Sequence, residues 1–167
     1  MFNYDESLSV EKEIAAPAKK VWDIITVPGG LSLFHPFIFK NSSESWNDVG
    51  SKDHVTYYSG IEYDREVVKW IEGTAYDLKV YEKGKHKITV SFRIIPIDDQ
   101  TCKLINTIKV DFIKKLPFPV RWALLELKIK PLFTSYLCHV HKGLAYYAET
   151  GNQVKQNQFG SHPVFSK

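Results

Sequence analysis

Apolar and polar positions alternate from the start of the chain. Leu8, Val10, Lys12 and Ile14 share one side, and Ser9, Glu11 and Glu13 the other, which predicts a half-buried strand. Ala18, Val21, Trp22 and Ile25 then recur at helical spacing. Pro17 suits the first turn, where a missing N–H costs nothing, and Pro28-Gly29-Gly30 stops the helix. A second short helix is predicted over 31–35, before Pro36. Strands follow over 37–46, 53–59, 62–71 and 74–82, separated by turn residues at 47–50, at Gly60 and at Glu72-Gly73. Lys83-Gly84-Lys85 reads as a hairpin turn. The clearest strands are 86–95, where Ile88, Val90, Phe92 and Ile94 alternate with polar residues, and 102–112, where Leu104, Asn106, Ile108 and Val110 do. No helical pattern interrupts the run, so the sheet is expected to be antiparallel.

From Val120 the pattern turns helical. Phe133, Tyr136, Leu137, Val140, Leu144 and Tyr147 form one apolar stripe, and Gly151 is placed to cap it. Extending that stripe back through Pro131 brings Glu126 and Lys130 onto the apolar face, so Pro131 is expected to kink the helix or divide it in two. Residues 152–167 are polar and are expected to fray. The class is α+β: one domain over 1–151, a curved sheet around a long C-terminal helix, then a polar tail over 152–167. That arrangement encloses a cavity, which suggests a small-molecule binder before a catalyst.

Composition narrows the classes. Hydrophobic residues make up 44% and charged residues 25%, ordinary for a globular protein of 167 residues. Aromatics at 14% are high and must be buried, line a pocket or meet a partner. A net charge of +3 gives no argument for nucleic acid. Cys102 and Cys138 have no metal spacing and read as reduced core or helix-flank residues. Residues 1–6 have neither a basic start nor an apolar run, and no stretch approaches the ~20 apolar residues of a spanning helix, so a soluble cytoplasmic protein is expected.

The order of strand, two small helices, six strands and long helix resembles the START-like (SRPBCC, or Bet v 1-like) superfamily. Three segments carry the resemblance. Val10 to Trp22, with Ala16-Pro17 ahead of Val21-Trp22, is similar to the family's opening strand and helix start. Leu33-Phe34-His35-Pro36-Phe37 is similar to the entry to its second strand, where Trp is commoner than Phe34. Val140 to Leu144 and Glu149-Thr150-Gly151 resemble the closing helix of polyketide cyclase-like members. The resemblance spans 8–151 and implies a helix-grip fold. It is weak for function, because the superfamily holds lipid carriers, hormone receptors, cyclases and hydroxylase domains.

The cavity-facing set expected from strand and helix faces is Phe34, Tyr57, Tyr63, Arg65, Tyr76, Leu78, Val90, Phe92, Asn106, Ile108, Phe133, Tyr136, Leu137 and Val140. Asn106 lies on an apolar strand face. It either orients a ligand or is satisfied internally. Arg65 shares a face with Tyr63 and Val67. It either pins a carboxylate or polarises a carbonyl, as the resemblance to cyclases implies, or it is a surface arginine paired across strands. The tyrosines offer hydroxyl tips on aromatic walls, or are core packing.

His139 and His141 are two apart, about 160° around a helix, and make no zinc pair. His35 is placed near the cavity mouth as a possible base, or is simply solvated. No nucleophile, phosphate or dinucleotide motif is present, and no cofactor or metal is expected.

The segment 109–130 holds six basic residues against two acidic ones, +4 in a chain of total +3, interleaved with Phe112, Leu116, Phe118, Trp122 and Leu125. It can dock on anionic membrane, or pack on the sheet with solvated lysines.

The leading function is binding of a small hydrophobic or amphipathic molecule: a lipid, isoprenoid or polyketide. The alternatives are a cyclase or dehydratase using Arg65, Asn106 and a tyrosine, and a membrane-docking lipid-transfer module built on 109–130. An enzyme cavity is expected to hold at least two convergent polar groups with perturbed pKa values, and a carrier at most one.

Overall fold

In the computed structural model, residues 6–166 are described. The reading of the extreme N-terminus as free of a signal sequence (residues 1–5), and Lys167 of the tail, lie outside the described residues. Seven antiparallel strands form one sheet in the order β1-β7-β6-β5-β4-β3-β2. They are β1 (Ser7–Ile14), β2 (Ile38–Ser43), β3 (Lys52–Tyr57), β4 (Glu62–Ile71), β5 (Ala75–Glu82), β6 (Lys85–Asp98) and β7 (Thr101–Val110). The helices are α1 (Ala18–Ile25), α2 (Leu31–Phe34), α3 (Phe118–Leu124) and α4 (Lys130–Thr150). This is the helix-grip α+β fold. Register shifts in β2, β4, β5 and β6 mark bulges, which bend and twist strands and so let a sheet curve around a helix.

The second strand ends earlier than its sequence pattern suggests. Trp46 leaves the ladder and is buried in the β2–β3 loop, where its ring meets Tyr76 at 6.0 Å. Tyr76 also stacks on Phe92 and Trp70, and Trp22 of α1 packs edge-on to Trp70 at 5.0 Å. Glu72 accepts the indole N–H bonds of both Trp22 and Trp70, so the Trp of the opening helix fastens the β4–β5 turn.

The helical run continues through Pro131, and the irregularity lies just before it. Residues 125–129 form a single π-helical turn that joins α3 to α4. Lys130 N–H bonds to Leu125 C=O, five residues back, and Pro131, which has no N–H to offer, follows directly. The wider turn rephases the helix. Leu125 and Ile129 face inward, while Glu126 and Lys130 form an ion pair at 2.6 Å away from the core. Beyond it Leu137, Val140 and Leu144 are buried, each contributing about 1.5–3 kcal/mol. A Cβ at Gly143 would stand 2.1 Å from the Phe34 carbonyl oxygen, so only glycine lets α4 lie this close to the end of α2. Gly151, at φ 75°, closes the helix with its N–H on Tyr147 C=O.

The C-terminal tail does not fray. Val154 N–H bonds to Leu33 C=O and Asn157 N–H to Pro36 C=O, and Val154, His162 and Phe165 are buried. His162 holds the last turn together. Its Nε2–H donates to Leu132 C=O, and its Nδ1 faces the N–H groups of Val164 and Phe165.

Candidate functional site

Between the sheet and α4 lies a cavity of about 390 Å³, within the range of small-molecule pockets. Its walls are mainly apolar. They include Leu78, Val80, Ile88, Val90 and Phe92 from the sheet, Phe133 and Val140 from α4, and Phe165 from the tail. Glu82, Lys87, Phe112 and Val164 form its more exposed rim, where Lys87 pairs with Glu82 at 2.8 Å.

The polar groups gather at the other pole. Phe37 N–H donates to His35 Nδ1 at 3.2 Å, so the ring proton of the neutral imidazole sits on Nε2. Nε2–H donates to the Tyr136 hydroxyl at 2.8 Å, and the Tyr136 and Tyr57 hydroxyls lie 2.8 Å apart. The two tyrosines share one hydrogen bond but carry two O–H groups. One O–H is therefore left without an acceptor among the described residues, on a side chain that lines the cavity. Burial, and then the charge of Arg65, lowers the His35 pKa to about 3. Burial raises Tyr136 to about 12 and Tyr57 well above its usual range. The imidazole and both phenols are therefore uncharged across physiological pH.

Arg65 completes it. Asp53 of β3 stands opposite Arg65 in the β3–β4 register and takes Nε–H at 2.8 Å and Nη2–H in a bidentate pair. Trp46 lies beneath the guanidinium, its ring centroid 4.9 Å from Cζ. Burial works against the charge, but Asp53 outweighs it and the Arg65 pKa is raised. Of the two readings of Arg65, the structure shows the cross-strand pair, buried rather than at the surface, with Arg65 also on the cavity wall. Its charge is already matched by Asp53, which leaves Nη1 outside that pair.

Of the residues expected to line the cavity, Tyr57, Tyr63, Arg65, Leu78, Val90, Phe92, Phe133, Tyr136 and Val140 do so. Phe34, Tyr76, Asn106, Ile108 and Leu137 do not. Phe34, Ile108 and Leu137 are core. Tyr76 stands among the tryptophans, its hydroxyl donating to Ile25 C=O at 3.4 Å. Asn106 is consumed internally. Its amide donates to Ser91 C=O, and its Oδ1 accepts from His141 Nε2–H at 2.6 Å, tying β7 to α4. His35 is buried rather than solvated. Asp53, Trp46, His141 and the tail were not singled out as site or core residues from sequence. Only Asp53 left a signal there, in the alternation Asp53, Val55, Tyr57, which brings it to the face of Tyr57.

Among the described residues no group of three His, Cys, Asp or Glu side chains could hold a metal ion, and no helix is long and apolar enough to cross a membrane.

Solved structures with this architecture are numerous. DynU16, a protein of the dynemicin biosynthetic locus, aligns over 92% of this chain with a TM-score of 0.63 and 16% identity, and this chain spans 52% of its length. A START superfamily protein from Mycobacterium smegmatis aligns over 87% of this chain and 99% of its own, with a TM-score of 0.65 and 15% identity. Norcoclaurine synthase from Thalictrum flavum aligns over 87% and 94%, with a TM-score of 0.60 and 18% identity. At these identities the likeness is one of fold. No curated protein matches this chain. A family model, described as polyketide cyclase / dehydrase and lipid transport, matches residues 5–140, from the first strand to the middle of α4. The chain belongs to that family, and its opening strand and closing helix resemble those of the START-like, Bet v 1-like proteins whose fold it shares.

Proposed function

We propose that the protein binds a small, largely apolar molecule carrying an uncharged oxygen acceptor at one end: a ketone, ester or alcohol of the lipid, isoprenoid or polyketide kind. The observation that carries this reading is the single tyrosine O–H left over at the neutral pole of an otherwise apolar cavity. Burial of the ligand body supplies affinity at ~25 cal/mol per Å². The leftover O–H sets orientation, and a carbonyl oxygen satisfies it. A carboxylate fits poorly, because Arg65, the cation found at this pole among the described residues, is paired with Asp53 and an uncompensated buried charge is costly.

A second reading is catalysis of the cyclase or dehydratase type. The pole holds several convergent groups with perturbed pKa values, which favours it. The direction of the shifts favours binding. An acid–base catalyst works best with a pKa near the operating pH. Here the imidazole is made a weaker base and the tyrosines weaker acids. A tyrosine could polarise a carbonyl, but Asp53, the carboxylate of this pole, is bound to Arg65 and leaves no base beside it.

Native mass spectrometry of protein from its own host, followed by solvent extraction, tests the reading. A neutral oxygenated lipid or polyketide at near-stoichiometric level is expected. A protein that emerges empty and takes up no such molecule in vitro contradicts it.

A further inference from the structure

Residues 112–128 carry large apolar side chains that the fold leaves exposed. Helix α3 has no buried residue, and the π turn after it buries only Leu125 and Ile129. Val120 is 53% exposed, Trp122 45% and Leu127 69%, and Phe112 and Leu116 of the preceding loop are exposed as well. Val120, Ala123, Leu124 and Leu127 line a shallow groove edged by Lys128. A helix apolar on nearly every side belongs in a core or against an apolar partner.

Charge identifies the partner. The acids of the segment are already engaged: Asp111 by Lys114 and Glu126 by Lys130. Lys115 and Lys128 stand exposed beside the apolar residues. A second copy of the chain would set this basic face against itself, and like-charge juxtaposition disfavours such a pairing. An anionic bilayer answers both features, since it takes aromatic and aliphatic side chains at the headgroup boundary and attracts lysines above it. Phe112 and Ile129 also line the cavity, so the exposed face runs into the cavity wall.

We propose that residues 112–128 dock the protein on an anionic lipid surface. Leu116, Val120, Trp122 and Leu127 enter the interface, and Lys115 and Lys128 meet the headgroups. Phe112 sets the cavity rim against the bilayer. The docking surface is distinct from the polar pole of the cavity, and it is tested without any cavity ligand.

The test is co-sedimentation of the full chain with phosphatidylcholine vesicles, with and without phosphatidylserine. Binding to the phosphatidylserine vesicles is expected, weakening as salt rises. The Lys115→Gln, Lys128→Gln variant is expected to lose about thirtyfold in partitioning. The Trp122→Ser, Leu127→Ser variant is expected to lose at least as much while unfolding at the same temperature as the parent. No binding to phosphatidylserine vesicles, or binding indifferent to both variants, overturns the proposal. Self-association abolished by Trp122→Ser, Leu127→Ser without any vesicle binding also overturns it, and makes the face a contact between copies.

Discussion

Two buried histidines, one on α4 and one bonded to it, serve different ends. His141, on α4, gives its Nε2–H to Asn106 Oδ1, and Asn106 gives its amide to Ser91 C=O. That seam ties the helix to β7, and its Nε2–H and amide bonds end within the protein. His35, in the loop after α2, gives its Nε2–H to Tyr136, and the chain through Tyr57 ends with one O–H unclaimed. Both rings are held neutral by burial, at about 3 for His35 and about 4 for His141. What separates a structural polar group from a binding one here is therefore neither burial nor pKa, nor complete pairing, since His141 Nδ1 is buried without a partner among the described residues. It is where the unclaimed group lies: off the cavity for His141, and on a cavity-lining tyrosine for the His35 chain.

The largest effect is expected where charge is buried beside the open chain. Arg65→Met or Asp53→Leu alone strands the partner and is expected to cost about 3–5 kcal/mol in denaturant unfolding. The double variant, with no charge to strand, is expected to be more stable than either single one. Equal losses in all three would mean that Arg65 contributes to stability through Trp46 rather than Asp53.

Acid sharpens the comparison of the two rings next. A histidine with a lowered folded pKa contributes stability that is complete above its unfolded pKa of about 6.5 and is lost as pH falls towards the folded value. The unfolded chain then binds protons that the native rings refuse. Stability is expected to fall by about 1.4 kcal/mol per pH unit for each ring between pH 6 and pH 4.5. His162, also held down by burial, adds to the slope. Unfolding curves across that window for the parent and for His141→Leu, Asn106→Leu are expected to differ in slope by one ring's share.

The seam itself gives a smaller effect. His141→Leu leaves Asn106 Oδ1 unpaired in the core and is expected to cost about 1–3 kcal/mol, most of it recovered in the double variant. Ligand affinity is expected to stay unchanged in both, since neither residue lines the cavity. A fall in affinity in the double variant would place the seam within the binding machinery.

The tail gives the smallest expected change in stability and a clear change in binding. Phe165 packs on Tyr57 at 4.7 Å and on Tyr136 at 4.6 Å, covering the open chain. Phe165→Ala is expected to speed ligand release in stopped-flow measurements more than it slows uptake. Equal rates would make the tail a bystander.

The sheet was legible in the sequence because its code is local. Alternation over 86–95 and 102–112 sets β6 and β7, and the shared face of Tyr63, Arg65 and Val67 sets the cavity side of β4. The π turn was not legible, because one inserted residue erases the period on which the stripe before Pro131 depends. The fates of His35 and Asn106 were not legible either. Their partners stand 101 and 35 residues away, and alternation says which way a side chain points but not what meets it. The tail reads as polar because its buried apolar side chains, Val154 and Phe165, are few and far apart and make no period, while backbone bonds such as Asn157 N–H to Pro36 C=O leave no mark in the sequence.

The most direct measurement is a titration of the protein at neutral pH with three ligands of one chain length: a ketone, a carboxylate and an alkane. The parent is expected to bind the ketone most tightly. The Tyr57→Phe, Tyr136→Phe variant is expected to lose its preference for ketone over alkane, a change of about fivefold to tenfold for one hydrogen bond, while keeping its affinity for the alkane. Tightest binding of the carboxylate by the parent would contradict the account, because it would require a free positive charge at a pole where Asp53 holds Arg65.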